Sequence, residues 1–413
     1  MANSSILVVG GGISGITSAI EAAEMEVDVY LVESEPTLGG RVGQLRYYFP
    51  KLCPPTCGLE INYKRMKANP HLTIYTMTEV LEISGAPGSY KVKLKQNPRF
   101  VNDNCTCCGE CEKVCEGERI SRFDFGLGKT KAIYLPSPMA FPARYVLDKS
   151  ALAPGDLEKI MSVCQYHAID PDMKEEVFEL EVGAIIWATG WQPYDATKID
   201  NLGYGKFNNV ITNMQVERMA SPWGPTGGEI KRPSDGEVPT KVAFVQCAGS
   251  RDENHLPYCS YICCLASLKH SLYFAEKYPN TECTIFYIDI RTPGRYEKFL
   301  NRATNEAKIK FVKGKVAKIE EDPSTKDLLV TAEDTLSGRR VTERFNMVIL
   351  ALGMQPSTIG KTIPGLSLDE NGFVVETDGI IPVGCAKKPL DVMTSNETAT
   401  GAVLKALQVI KRA

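Results

Sequence analysis

Nine of the fourteen cysteines in this 413-residue chain fall into two short stretches, five between Cys105 and Cys115 and four between Cys247 and Cys264. A thiolate is a soft metal ligand and a redox-active group. Clusters this tight, in a chain where no export signal is read, point to metal or electron chemistry rather than to a disulfide framework. In the first stretch Cys105, Cys108, Cys111 and Cys115 follow the spacing C-x2-C-x2-C-x3-C. Gaps of two residues let successive thiolates reach different corners of one four-iron cubane. A zinc knuckle would normally ask for two separated cysteine pairs or for histidines, and the next histidine along the chain is His167. Where such a run is one of a pair, its fourth cysteine serves the other cluster. The place of a second run, residues 151 to 163, holds no cysteine, and Cys164 follows it. The expected ligands of one cluster are therefore Cys105, Cys108, Cys111 and Cys164. Cys115 is left as a spare, or takes the place of Cys164.

A different chemistry is written near residue 10. Residues 6 to 9 form a short apolar run that reads as a buried parallel strand. It leads into Gly10-Gly11-Gly12-Ile13-Ser14-Gly15 and then into a helical pattern through Ile16, Ala19 and Ala23. In such a strand, turn and helix the glycines let the backbone approach a pyrophosphate, and the amides at the helix start hold its charge. Residues 27 to 32 make the second strand, which ends at Glu33, 18 residues after Gly15. A carboxylate there can accept hydrogen bonds from the ribose hydroxyls of an adenosine half. Residues 241 to 246, 261 to 277 and 283 to 290 repeat the order of strand, helix and strand. Their connecting turn has only Gly249, together with Cys247, Cys259, Cys263 and Cys264. Its amides are poorly arranged for a pyrophosphate, while four thiols converge on the same crevice. Packing as free buried thiols is the plain alternative.

Glu33 is followed by Gly39-Gly40-Arg41, which resembles the FAD-binding pattern of the glutathione reductase and thioredoxin reductase families. The stretches 184 to 190, ending in Thr189-Gly190, and 348 to 353, ending in Gly353, resemble those families' strand-to-glycine crossings. Gly384-Cys385 with Asp391, ahead of a helical run from 398 to 410, resembles the segment that closes over the flavin. The resemblance implies FAD held by Gly10, Gly12, Ile13, Ser14, Gly15, Glu33, Gly40, Arg41, Val80, Thr189, Gly190, Gly353, Gly384 and Asp391. The first cysteine run is typical of bacterial ferredoxins, and Cys164-Gln165 resembles the end of their second run with glutamine in place of proline.

Pro225-Thr-Gly-Gly-Glu229, Pro233-Ser-Asp-Gly236, Cys247-Ala-Gly-Ser-Arg-Asp252 and Cys259-x3-Cys263-Cys264 are similar to the A subunit of heterodisulfide reductase. So are 126 to 134 and 284 to 291, so the similarity covers essentially the whole chain. It implies a second [4Fe-4S] cluster on Cys247, Cys259, Cys263 and Cys264, near the flavin. Full chains of that family usually carry a further C-terminal ferredoxin region. This shorter form is similar to the A subunit of the quinone-interacting membrane-bound oxidoreductase complex of sulfate reducers. That likeness implies electron relay between membrane quinone and adenylylsulfate reductase. The expected partners are a second flavin and iron–sulfur subunit and a membrane quinone-reactive subunit. An electron-bifurcating heterodisulfide-reductase-type subunit is the alternative, with a stand-alone NAD(P)H-dependent disulfide oxidoreductase behind it. A scaffold with vestigial cofactors is disfavoured by the intact ligand sets.

To position these groups the chain must fold as an α/β, thioredoxin-reductase-like two-domain flavoprotein with a ferredoxin-like insert. The expected FAD-binding domain takes residues 1–100, 173–235 and 356–413, and the insert 101–172. A Rossmann-like domain, its nucleotide site replaced by an iron–sulfur site, takes 236–355. The length exceeds what one core usually organises. Lys+Arg 47 against Asp+Glu 50, a net charge of -3, gives no broad basic field for nucleic acid. The apolar stretch from 1 to 23 contains four glycines and runs into Glu21, so it reads as strand and helix rather than a leader or membrane span. The expected location is cytoplasmic, peripheral to the inner membrane through partner subunits. Cys53-Pro-Pro-Thr-Cys57 lies where glutathione reductase relatives carry a redox disulfide, but its spacing fits a structural or partner-facing turn better. His71, His167, His255 and His270 stand singly, and no residue is assigned a catalytic role.

Overall fold

A computed structural model describes residues 4–412. The chain divides into two compact units. The first takes the chain up to Gly43, Thr56–Trp191 and the chain from Pro356; the second takes Gln44–Pro55 and Gln192–Gln355.

The first unit is built on a parallel sheet in the order Ile380–Pro382, Ala184–Trp187, Ile6–Val9, Val29–Glu33 and Leu72–Thr76. Every residue of Ile6–Val9 and Ala184–Trp187 is buried, as a strand covered on both faces requires. Helix Ile13–Ala23 lies along the long helix Val392–Arg412, with Ser14 and Ser18 donating to the carbonyls of Ser395 and Ala399. A three-stranded antiparallel sheet, Glu176–Val182, Ser89–Gln96 and Thr78–Ala86, flanks it. Between its strands Ser89–Gln96 and Glu176–Val182 the chain makes an excursion with its own small core, including Val101, Ile133, Leu147, Ile160 and Ala168. Two short helices, Glu110–Val114 and Asp156–Val163, pack within it.

The second unit repeats the parallel design in the order Val210–Thr212, Met347–Leu352, Lys241–Ala248, Glu282–Tyr287 and Lys310–Lys313. Helix Cys263–Lys277 connects the third of these to the fourth. Val210–Thr212 explains a difference from the expected boundaries. It pairs with Met347–Leu352, so residues 192–235 pack with the second unit rather than with the nucleotide-binding one. The strands and helices fall where the patterns place them, with shifted ends. The strand expected over 241 to 246 runs on through Cys247 to Ala248, and the one expected over 283 to 290 stops at Tyr287. The last helix starts six residues earlier than its apolar pattern, at Val392, because Asp391 caps it.

Candidate functional site

In the first unit the backbone leaves Val9 with Gly10 at a φ of +109°, a conformation that suits glycine, and a Cβ there would stand 2.4 Å from the Ala188 carbonyl oxygen. Gly15 is held just as closely, since its Cβ would lie 1.7 Å from the Gly10 oxygen. These two contacts bring helix and strand together. Gly12 differs: no protein atom lies within 4 Å of where its Cβ would be, and it sits at the start of helix Ile13–Ala23 with no side-chain cap. The open face of the turn is thus at Gly12, where helix-start amides can meet an anion. Glu33 closes the neighbouring strand. Its carboxylate accepts from Gly11 N at 2.6 Å and from Glu35 N at 2.8 Å. Burial pushes its pKa up, partly offset by those two amides.

Gly40 packs against Gly12, and Gly384 against Ser14. Thr189, beside Gly10, accepts a hydrogen bond from the Trp187 indole at 3.0 Å, and the Gly190 carbonyl accepts from Ser357 N. Asp391 accepts from Thr394 N at 2.7 Å and so fixes the helix that supports Ser14. The Arg41 guanidinium lies over the rings of Phe125 and Trp191 and donates to the Trp191 carbonyl; burial lowers its pKa against the pull of Glu35 and Glu33. Val80 sits half-buried in the flanking sheet opposite Leu94, packed on the core that contains Val9, Val32 and Trp187. Gly353 is not among the gathered residues. It lies in the second unit, hydrogen-bonded to Ala248 O and Tyr194 N and packed on Ser250 and Leu256.

Within the excursion, Cys105, Cys108, Cys111 and Cys164 line a single pocket with Gly109, Tyr145, Ala168 and Ile169. Burial, and then the nearby Cys105, Cys108 and Cys164, push the Cys111 thiol up to about 12. Ala168 N donates to Cys164 Sγ at 3.3 Å. Cys115 does not line this pocket. It is buried in the small core, where its thiol donates to Asp156 Oδ2 at 3.4 Å and Gly117 O at 3.7 Å. Burial would raise the Asp156 carboxyl, but the amides of Glu116, Gly117 and Ala153 and that thiol hold it at about 2. Sequence reading gave no role to Cys107, which stands at a φ of +57° beside Cys105 with its thiol pushed up to about 11, chiefly by burial.

The second unit collects Cys247, Cys259, Cys263 and Cys264 at the end of strand Lys241–Ala248 and the start of helix Cys263–Lys277. All six pairs of these sulfurs interact electrostatically. Burial first, and then the other thiols, push Cys247 up to about 11 and Cys263 well above its ordinary value. A helix N-terminus favours the thiolate form, and Arg251, paired with Asp289 at 2.9 Å, favours it at Cys247. The rest of the turn is tied into itself: Arg251 N donates to Tyr258 O, Asp252 N to Leu256 O, and Leu256 N to Gly249 O. Further along the helix, Lys269 and His270 pair with the buried Glu217 at 2.6 and 2.5 Å. Burial alone would raise the Glu217 carboxyl, but these two partners hold it below the carboxylate range. Cys53 and Cys57 are both exposed, and no disulfide forms among the described residues.

No three His, Cys, Asp or Glu side chains among the described residues are arranged to hold a metal ion. A four-iron cubane asks for a different arrangement, because each of its thiolates takes a separate iron. No helix among the described residues is long and apolar enough to cross a membrane.

The two parallel units match the thioredoxin reductase of Lactococcus lactis with a TM-score of 0.53 and 14% identity, over 99% of this chain and 100% of that one. Residues 5–50, which contain the glycine turn, Glu33 and Arg41, match the FAD dependent oxidoreductase family. Fold and turn together define a flavoprotein oxidoreductase of thioredoxin-reductase-like fold. The chain is 40% identical to the second iron-sulfur A subunit of the CoB–CoM heterodisulfide reductase of Methanopyrus kandleri, over 97% of its own length and 63% of the relative's. It is 39% identical to the A subunit of the H(2):CoB-CoM heterodisulfide,ferredoxin reductase of Methanothermobacter marburgensis, with the same coverage. The chain is similar to heterodisulfide reductase A subunits over nearly its whole length, and it spans about 63% of the length of those curated relatives.

Proposed function

We propose that this chain is the flavin-bearing electron-transfer subunit of a heterodisulfide-reductase-type complex, with FAD in the first unit and two [4Fe-4S] clusters. Cys105, Cys108, Cys111 and Cys164 would hold one cluster; Cys247, Cys259, Cys263 and Cys264 would hold the other. FAD accepts electrons in pairs and releases them singly, which joins a two-electron carrier to one-electron centres. The protein supplies placement. Gly10 and Gly15 let helix and strand close, the open face at Gly12 admits a pyrophosphate, and Glu33 stands at the ribose position. The observation that carries the proposal is the mutual approach of four thiols where a second nucleotide turn would otherwise lie. Four gathered thiolates, three of them buried, repel one another unless iron neutralises them, so the donor set suits a cubane.

The names of the relatives speak of heterodisulfide and ferredoxin. They favour an electron-dividing chain that serves such acceptors over the quinone-to-adenylylsulfate-reductase relay that the short chain suggested. Its partners in this reading are other redox subunits. Flavin and iron analysis of the anaerobically purified chain tests the cofactor set. One FAD and about eight irons are expected. Cys259→Ala or Cys263→Ala should each remove about half the iron, because an open iron corner is lost to solvent and oxidation. Unchanged iron in both variants would assign these residues to buried packing instead.

A further inference from the structure

Arg99 lies at the end of the loop that enters the excursion and is only 6% exposed. Its guanidinium donates to the carbonyls of Tyr145, Pro36 and Arg144 at 2.9, 2.8 and 2.8 Å, and to Thr76 Oγ1 at 3.3 Å. Each acceptor is neutral, and among the described residues no carboxylate pairs with it. A buried cation without a counter-ion is costly, and natural proteins seldom keep one. Arg144 adds to the cost by repelling it, whereas Cys105 and Cys107 are among the groups that favour its charge. Tyr145, whose carbonyl holds the guanidinium, also lines the pocket of Cys105, Cys108, Cys111 and Cys164.

We propose that Arg99 is the built-in counter-ion of the iron–sulfur cluster held in this pocket, and that its charge sets the cluster's reduction potential. The inference rests on the reading of the pocket as a cluster site. Four thiolates leave the cluster anionic, and each electron it accepts adds one negative charge. A fixed cation in a poorly screened site therefore stabilises the reduced form more than the oxidised one. The same guanidinium joins the cluster wall to the nucleotide loop. Pro36, its second acceptor, precedes Thr37 and Leu38, which exchange hydrogen bonds with Phe141 at 2.9 Å each. Arg99 is thus a positioning and tuning residue between the two cofactor sites of the first unit.

The test is an EPR-monitored dithionite titration of the cofactor-loaded chain, with the excursion's signal identified by its loss in Cys164→Ala. Arg99→Met removes the charge. Thr76→Asp leaves the arginine in place but gives it a carboxylate partner. Each should shift the reduced-to-oxidised ratio at a given potential about tenfold toward oxidised, which lowers the midpoint by ~59 mV for a one-electron couple, while the other cluster and the flavin stay put. Arg99→Lys should keep most of the wild-type value. An unmoved midpoint in either iron-replete charge variant overturns the proposal. If both charge variants lose the cluster and Arg99→Lys keeps it, the charge is required, as proposed. If all three lose it, the role is structural and the proposal falls. A wild-type chain with no cluster in this pocket would overturn the underlying assignment instead.

Discussion

Gly12 and Gly15 stand three residues apart in one turn and do unlike things. A side chain at Gly15 would strike the Gly10 carbonyl, so Gly15 serves the fold; one at Gly12 would meet no protein atom, so Gly12 serves whatever approaches the turn. Gly12→Val should therefore leave the chain folded, with a stability change of no more than about 1 kcal/mol at a helix N-cap, and should abolish flavin binding. The absorbance ratio of flavin to protein, with a thermal melt as control, checks this; full FAD occupancy would mean that the turn is not the pyrophosphate site. Residues of this kind were legible in the sequence because their identity is the signal, as it is for the cysteines. Arg99 and Asp156 were not. Their partners are carbonyls and amides, which carry no sequence signature and which only the fold brings into range.

Among the elements, the two short helices of the excursion set Cys115 and Cys164 in different surroundings. In a paired ferredoxin the space beyond Cys115 would hold a second cluster. Here helix Asp156–Val163 fills it, with Ile160 fully buried and Asp156 bonded to the Cys115 thiol. Cys164, the residue that follows this helix, faces the pocket of the other three cysteines. Cys164→Ala should therefore lose the cluster's iron and EPR signal, whereas Cys115→Ala should keep both. The cost of Cys115→Ala should appear in stability, at about 0.5–1.5 kcal/mol for one lost hydrogen bond, since Asp156 Oδ2 keeps the Gly117 and Ala153 amides. The opposite pattern in iron analysis would remove Cys164 from the ligand set. The sequence spacing held both options open. The path of a helix, which the absence of cysteines over 151 to 163 did not specify, is what separates their surroundings. In the second unit, helix Cys263–Lys277 is shorter than its apolar pattern predicts by Tyr261 and Ile262. Tyr261 turns to a φ of +67° and its amide donates to Cys259 Sγ, so the thiol site claims the first turn. The same helix is anchored further along by the Glu217, Lys269 and His270 group, which fixes the level of its two N-terminal cysteines.

At the scale of the molecule, two parallel α/β units stand in one chain, and the first has a glycine turn with an open face at Gly12. Their presence was legible from two strand and glycine patterns. Their boundary was not, because the strand that ties residues 192–235 to the second parallel sheet, Val210–Thr212, has three residues and its partner Met347–Leu352 lies far along the chain. The second unit's turn differs from the first in packing as well as in composition. At Gly249, its one turn glycine, a Cβ would stand 2.6 Å from the Tyr194 ring and 3.2 Å from Ile199. The amides of Arg251, Asp252 and Leu256 are spent on carbonyls of the same turn. A pyrophosphate would find this glycine crowded and those three amides already used. NADH and NADPH should therefore fail to reduce the flavin, and electrons should enter through iron–sulfur centres or another redox protein. Stopped-flow mixing of the oxidised, cofactor-loaded chain with each nucleotide should show no bleaching of the flavin band, while dithionite bleaches it fully. Rapid bleaching by either nucleotide would mean that the turn opens to a ligand, and would restore the stand-alone disulfide oxidoreductase reading.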